Sequence, residues 1–310
     1  MLSIFNKTRK SEGLSSIDVV PGGFALTRIS DYKSRPPQGS ICQFYECPDI
    51  QLLAKKLTSV VLKNNLQNTD CNLVLHPSYY RLLLIDAPQV PKNEYRSAVR
   101  WQIKDMVDLP LDDISVDIFL PTQEIAEQRD KIYVVAACKS FLQGVVDQLY
   151  RTQLNPIAID IHELAIRNLL TLLAKDDKPI VFLHLLDNRS LLLIVKGGQI
   201  YFSRRIMYGL EKLREERVFK KLVSEIRRCF DYYQQHLEQA LPDNLFLAPL
   251  LQPYEFIREN LTQALKMNTQ HVNINELVTY PKLLSDEVQA YCCAAIGGAL
   301  RSQGNDDAKH

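Results

Sequence analysis

The chain has 310 residues, 46% of them apolar, which is enough for a large buried core and too many for wholesale disorder. Its 37 basic and 36 acidic side chains leave a net charge of +1, which argues against nucleic-acid binding by bulk electrostatics. Seven cysteines without a Cys-x-x-Cys pair argue against a zinc knuckle and read as free, mostly buried thiols of a reducing compartment.

Residues 1–10 lack the apolar core and small-residue cleavage site of a signal peptide, and residues 1–13 read as a flexible end. Residues 16–20 form a short apolar strand, Pro21-Gly22-Gly23 a turn, and residues 24–29 a returning strand with Phe24 and Leu26 on one face. A break at Ser34-Arg35-Pro36-Pro37 precedes a third strand at 41–45. Pro48-Asp49 opens a helix towards residue 66, with Leu52, Leu53, Leu57, Val60 and Val61 at helical spacing, and 72–75 is a strand. Next come a strand at 80–85, a helix over 92–107 with Tyr95, Val99, Ile103 and Met106 on one face, and a strand at 114–120. A strand at 131–137, a helix at 141–154, a strand at 158–161 and a helix at 162–174 complete the first half.

The second half starts with strands at 180–186, 191–195 and 199–204, separated by Asp187-Asn188-Arg189 and by a Gly197-Gly198 hairpin turn. A long helix over 210–237 carries Phe219, Leu222, Val223, Ile226, Phe230, Tyr233 and Leu237 on one stripe. A strand at 245–247, a helix at 254–266, a strand at 272–275 and a helix at 285–301 follow, and residues 303–310 read as a second flexible end. The longest apolar run, 180–195, is broken by His184, Asp187, Asn188 and Arg189 and is too short to cross a bilayer, so a cytoplasmic location is expected.

The two halves repeat one order of elements, β-β-β-α-β-α-β-α. That order matches the α/β fold of the actin, sugar-kinase and heat-shock-ATPase superfamily, an actin-like (ribonuclease H-like) pair of lobes. The first lobe is expected over 14–175 and the second over 178–302, with a small α+β subdomain inserted at about 78–130. Within this frame four segments resemble the PilM-type family of type IV pilus assembly proteins. They are APQVPKNEYRSAVRWQIKDMVDLPLDDISVDIFL at 87–120, NPIAIDIHELAIRNLL at 155–170, SEIRRCFDYYQ at 224–234 and AAIGGALR at 294–301. The brevity of the chain is similar to the MshI-type members that serve mannose-sensitive haemagglutinin (MSHA) pilus biogenesis. The resemblance implies a cytoplasmic protein, peripheral at the inner membrane. It would hold the short cytoplasmic tail of a bitopic inner-membrane assembly protein and meet other pilus-machine subunits.

Better-preserved members of that family bind ATP between the lobes, so small residues and a carboxylate are expected at two phosphate-facing turns. Here the first turn keeps Asp18, Gly22 and Gly23 but sets Val20 where glycine is expected and Pro21, which has no N–H, beside it. At the second turn His184 takes the acidic place and Leu186 the glycine place, leaving Asp187 as a substitute acid. The adenosine-side segment, Ala248-Pro249-Leu250-Leu251, has no glycine. The site therefore reads as vestigial: no catalytic residue, no cofactor and no metal are expected, and the alternatives are an actin-fold ATP-binding protein or ATPase with altered loops, or a component of a type II secretion platform. The six histidines show no ligand spacing and are expected not to cluster. A surface role falls to the insert helix, where Tyr95, Arg96, Val99, Arg100 and Trp101 are the expected partner contacts. Trp101 has two open roles, a hot spot for a peptide held between insert and first lobe, or an anchor packed on that lobe.

Overall fold

Alternating and continuous apolar runs make the strands, and the computed structural model describes residues 13–121, 130–174, 178–251 and 255–301. The chain opens with an antiparallel meander of β1 (Leu14–Val20), β2 (Gly23–Asp31) and β3 (Gln38–Glu46). α1 (Leu53–Lys63) buries Leu53, Leu57, Val60 and Val61 on its predicted stripe and leads into β4 (Asp70–Leu75). β5 (Tyr80–Asp86), α2 (Tyr95–Gln102), β6 (Ile114–Phe119) and β7 (Lys131–Cys138) come next. α3 (Lys139–Arg151), β8 (Asn155–Ile161) and α4 (His162–Leu170) close the first half. The second half runs β9 (Ile180–Leu185), β10 (Ser190–Lys196), β11 (Gln199–Ile206), α5 (Glu216–His236) and β12 (Asn244–Leu247). It ends with α6 (Glu255–Leu265), β13 (Asn268–His271), α7 (Ile274–Leu277) and α8 (Asp286–Ala299).

The repeat predicted from the sequence is present as two five-stranded sheets of the same order, β3-β2-β1-β4-β8 and β11-β10-β9-β12-β13. In each, an antiparallel meander adds two parallel strands beside its first strand. α1 and α3 cover the outer face of the first sheet through Leu57, Val61, Val145 and Leu149. α5 and α6 cover the outer face of the second through Leu222, Ile226, Tyr233 and Leu261. Between the inner faces lie α4 and α8, whose Ile166, Leu169, Ile296 and Ala299 meet Ile29 of β2 and Phe182 of β9 in one core. Ser285 caps α8 by accepting from the Val288 N–H, with Asp286 and Glu287 in the first turn.

α8 reaches this position because Gly297 and Gly298 carry no side chain. A Cβ on Gly297 would overlap the Ala165 carbonyl oxygen of α4, and one on Gly298 would sit 2.5 Å from a Val74 methyl and collide with the Ser16 hydroxyl. The Gly297 and Gly298 carbonyls accept side-chain amides of Asn168 and Asn72, both at 3.1 Å. Arg301 then pairs with Asp160, whose other oxygen takes a 2.7 Å bond from Asn72. Both lobes thus close on one helix.

Four elements differ from the sequence reading. β7 pairs with β5 and β6 in a separate three-stranded sheet, order β5-β7-β6, so its strand belongs to the insert, past the expected limit of residue 130. The insert helix ends at Gln102: tighter turns, such as Met106 N–H to the Ile103 carbonyl at 2.8 Å, fold Val107 back into the insert core and leave Met106 53% exposed. The long second-lobe helix starts only at Glu216, because residues 210–212 form a separate 3-10 turn. The strand expected at 272–275 lies instead at Asn268–His271, and Asn273 caps α7 by accepting from the Asn275 N–H. The expected flexible ends, apart from residue 13, lie outside the described residues.

The glycine pair makes a direct prediction. Gly297→Ala should destabilise the protein by about 3 kcal/mol, since the new methyl meets backbone that cannot turn aside. Gly144 is an exposed position of α3 where a Cβ meets nothing within 4 Å, so Gly144→Ala should stabilise by about 0.5–1 kcal/mol. Urea unfolding of the two variants reads both, and equal effects would contradict the packing account.

Candidate functional site

The expected nucleotide turns lie at the ends of β1 and β9. In the first, Val20 pairs with Gly23 across a Pro21–Gly22 corner, with Gly22 at φ +84°, as a Pro-Gly type II corner requires. Both glycines serve the protein itself. The Gly22 carbonyl accepts the Cys47 N–H at 2.7 Å. A Cβ on Gly23 would stand 2.5 Å from the Phe44 ring and from the Tyr45 carbonyl. Asp18 is 2% exposed on the inner face of β1, and its Oδ1 has no partner among the described residues. Burial pushes its carboxyl up to about 8, so it is mostly protonated at neutral pH. The buried thiols of Cys292 and Cys293 on α8 feel the Asp18 charge, which puts that helix over the carboxyl. At 2% exposure the carboxyl presents no open face to the first turn.

The second turn is filled from below. Leu186 N–H donates to the Arg189 carbonyl at 2.9 Å, and the Leu186 and Asp187 carbonyls each accept, at 2.9 Å, from the N–H groups of Leu210 and Glu211. Gly209 fits so closely beneath that a Cβ would sit 2.5 Å from the Asp187 carbonyl oxygen. Asp187 itself is exposed at the turn. On the adenosine side Ala248 is fully buried in the core between the lobes, and its N–H donates to the Leu183 carbonyl at 3.0 Å. Asp18, Gly23, Leu186 and Ala248, which should help cradle Mg-ATP, are therefore spent on the protein's own packing and do not fit that ligand.

Polar side chains do meet at this junction. His184 is buried and its Nδ1 lies 3.0 Å from Nε2 of His162, so it is a satisfied interior histidine. His76 lies edge-on to His162, with ring centroids 6.4 Å apart. Three of the six histidines thus cluster, against the sequence expectation. Burial holds His76 down at about 3, His184 at about 4 and His162 well below its ordinary value. Among the described residues no group of three or more His, Cys, Asp and Glu side chains could hold a metal ion.

Beside them is a buried ion pair that sequence reasoning missed. Glu163, fully buried at the start of α4, accepts from Arg205 Nε at 3.1 Å and Nη2 at 2.9 Å. Arg205 Nη1 donates to the Pro77 and Tyr80 carbonyls at 3.1 and 3.2 Å, and the guanidinium stacks 4.3 Å from the Tyr80 ring centroid. The Tyr80 hydroxyl donates to Glu163 and accepts the His162 N–H at 3.1 Å. Insert, first lobe and second lobe therefore share one buried polar node. Its signals were an acid following His162 in an apolar run and an arginine pair at Arg204-Arg205 inside a strand.

The insert residues do not act as one patch. Val99 is fully buried in the insert core, so it presents nothing to a partner. Tyr95 is partly buried against that core, and Arg96 pairs with Asp117 at 2.8 Å on the surface. Arg100 is exposed, and Trp101 is 63% exposed, which rules out its role as an anchor packed on the first lobe.

No family model matches the chain, and no curated protein matches it. Solved structures do. A protein of the "PilM-PilN type IV pilus biogenesis complex" is 20% identical at a TM-score of 0.70, over 94% of this chain and 98% of that one. A Bacteroides thetaiotaomicron protein with an actin-like ATPase fold and unknown function is 11% identical at 0.54, over 93% and 98%. The cytoplasmic domain of EpsL, an inner-membrane component of the type II secretion system of Vibrio cholerae, is 10% identical at 0.52, over 91% and 94%. These likenesses establish the actin-like fold with its duplicated lobes. No helix among the described residues is long and apolar enough to cross a membrane.

The buried titratable groups set opposite pH limbs. The histidines are depressed below 6.5 in the folded state, so their stabilisation is present above that pH and is lost as pH falls towards 4. Asp18 is raised from 3.8 to about 8, so its stabilisation is lost as pH rises through that window. Asp18→Asn should therefore gain about 2 kcal/mol on wild type between pH 6.5 and pH 8 while leaving the acid limb in place. Urea unfolding at pH 5, 6.5 and 8 measures this, and a pH-independent difference would refute the buried, protonated carboxyl.

Proposed function

We propose that this protein is a non-catalytic scaffold of type IV pilus biogenesis, of the MshI type that serves the MSHA pilus. It sits in the cytoplasm, peripheral at the inner membrane. There it holds the cytoplasmic tail of a bitopic inner-membrane assembly protein and meets other subunits of the pilus machine. The observation that carries the non-catalytic part is Asp18: the one acid retained at the first nucleotide turn is 2% exposed, buried on the inner face of β1. Val20, Pro21 and Leu186 stand where small donors are needed, and of the glycines that remain Gly23 packs against the Phe44 ring and the Tyr45 carbonyl. Support for the pilus part comes from the four segments that resemble the PilM-type family, in the right order, and from the likeness to the pilus complex at a TM-score of 0.70. The likeness to the secretion protein at 0.52 supports the same coarse role, a cytoplasmic module serving an inner-membrane machine.

Two measurements test the reading. Isothermal calorimetry with ATP and magnesium should show no saturable heat at millimolar ligand, and cells carrying Asp18→Ala should still assemble pili while a deletion strain does not. A micromolar dissociation constant, or loss of pili with Asp18→Ala at normal protein level, would sink the non-catalytic scaffold.

A surface aromatic should behave differently from a structural one. Trp101→Ala should change stability by less than about 0.5 kcal/mol, as exposed substitutions do. If Trp101 and Arg100 meet the partner, that change should weaken co-purification of the inner-membrane protein by roughly thirtyfold in affinity, about 2 kcal/mol. Unchanged capture by both Trp101→Ala and Arg100→Ala would move the contact off α2.

A further inference from the structure

The sheet of the insert has two faces. α2 covers one, where Val99 and Ile103 pack on Ile85, Ile132 and Val134. On the other, Tyr80, Val135 and Ala137 pack with the first lobe. Leu84, 43% exposed, opens instead into a cavity of about 680 Å³, against which Tyr133 is almost wholly buried. The opposite wall is β11 of the second lobe, with Arg228 and Tyr232 of α5 beside it.

Both strands that frame this cavity are sheet edges. Among the described residues β5 pairs only with β7, and β11 only with β10. An edge strand presents backbone donors and acceptors on its open side, the template that an added strand uses. The groove is also held open at a fixed width, because Arg205 of β11 bonds the Pro77 and Tyr80 carbonyls and the buried Glu163 at its floor.

Charge gives the groove a sign. Arg205 is paired with Glu163, Arg228 with Glu225 and Lys131 with Asp86. Arg204 is exposed on β11 and has no acidic partner among the described residues. A groove of mixed polar and apolar lining, with Leu84 exposed in one wall and Arg204 outside any ion pair in the other, fits an extended chain that carries an apolar side chain and one carboxylate. The eight residues of β11 span on the order of 26 Å at about 3.3 Å per residue, room for a segment of about six residues.

We propose that this groove binds an extended segment of a partner polypeptide, added as a strand along β11, with an apolar side chain on Leu84 and a carboxylate on Arg204. It is a second docking site, on the face of the insert opposite α2. It rests on the scaffold reading only for the existence of a polypeptide partner.

The test uses the full chain in cells, with Leu84 in one strain and Trp101 in another replaced by p-benzoylphenylalanine, irradiated and mapped by mass spectrometry. The Leu84 probe should mark one short segment of another polypeptide, rich in apolar residues and containing Asp or Glu. A synthetic peptide of that segment should bind wild type at least tenfold more tightly than Arg204→Glu, a change at an exposed site whose fold is checked by its melting curve. Changing the peptide's acid to lysine should restore binding to Arg204→Glu. Equal binding to wild type and Arg204→Glu, or cross-links from Leu84 only to a second copy of this chain, would overturn the groove. A partner marked from Trp101 with Leu84 silent would overturn the groove and leave the scaffold standing. Silence at both positions would remove the groove and the insert-borne partner together.

Discussion

Two adjacent glycines on α8 set how near the lobes can come. With Gly297 against the Ala165 backbone and Gly298 against Ser16 and Val74, the last helix of the second lobe lies on the first lobe's sheet. Everything at the junction follows from that distance. Cys292 and Cys293 come over Asp18, Asn72 reaches the Gly298 carbonyl, and Arg301 meets Asp160. A larger residue at either position would lift the helix and reopen the space above β1. The burial of the Asp18 carboxyl is thus a packing effect, separate from the identity of the turn residues.

The polar groups buried at this junction bring specificity more than net stability. Removing a carboxylate and a guanidinium from water costs several kcal/mol per ion, and their attraction repays it only where the remaining donors and acceptors are also satisfied. The Glu163–Arg205 pair meets that condition, with Tyr80, Pro77 and the His162 backbone taking up the surplus bonds. Such a node tolerates one relative placement of insert, first lobe and second lobe. The histidines beside it remain neutral for the same reason that the acid and the arginine are paired: nothing there can hydrate a lone charge.

Much of the fold was legible because its periodicities are clean. The stripe Leu222, Val223, Ile226, Phe230 and Tyr233 marked α5, and matching runs of strands revealed the duplicated lobes. β7 was misplaced since an apolar strand carries no record of which sheet it joins; its partners β5 and β6 are fixed by register, not by composition. Val99 and Trp101 are two residues apart on one helix, and only the direction of the core decides that the first is buried and the second is not. The unusual residues of both turns, Val20, Pro21, His184 and Leu186, could be read directly from the sequence. The histidine cluster was not, because His76, His162 and His184 come from three separate segments and no spacing rule links them.

The junction has a mechanical consequence. Actin-like lobes that swing about a hinge need a joint that slides, and here the joint is a helix locked by backbone contact on one side and a buried ion pair on the other. A pull on the insert reaches β11 directly through Arg205, while a pull on the first sheet reaches α8 through Asn72 and Asp160. Load entering at the insert therefore has a bonded route into the second lobe, and load on the first sheet has a separate one into α8.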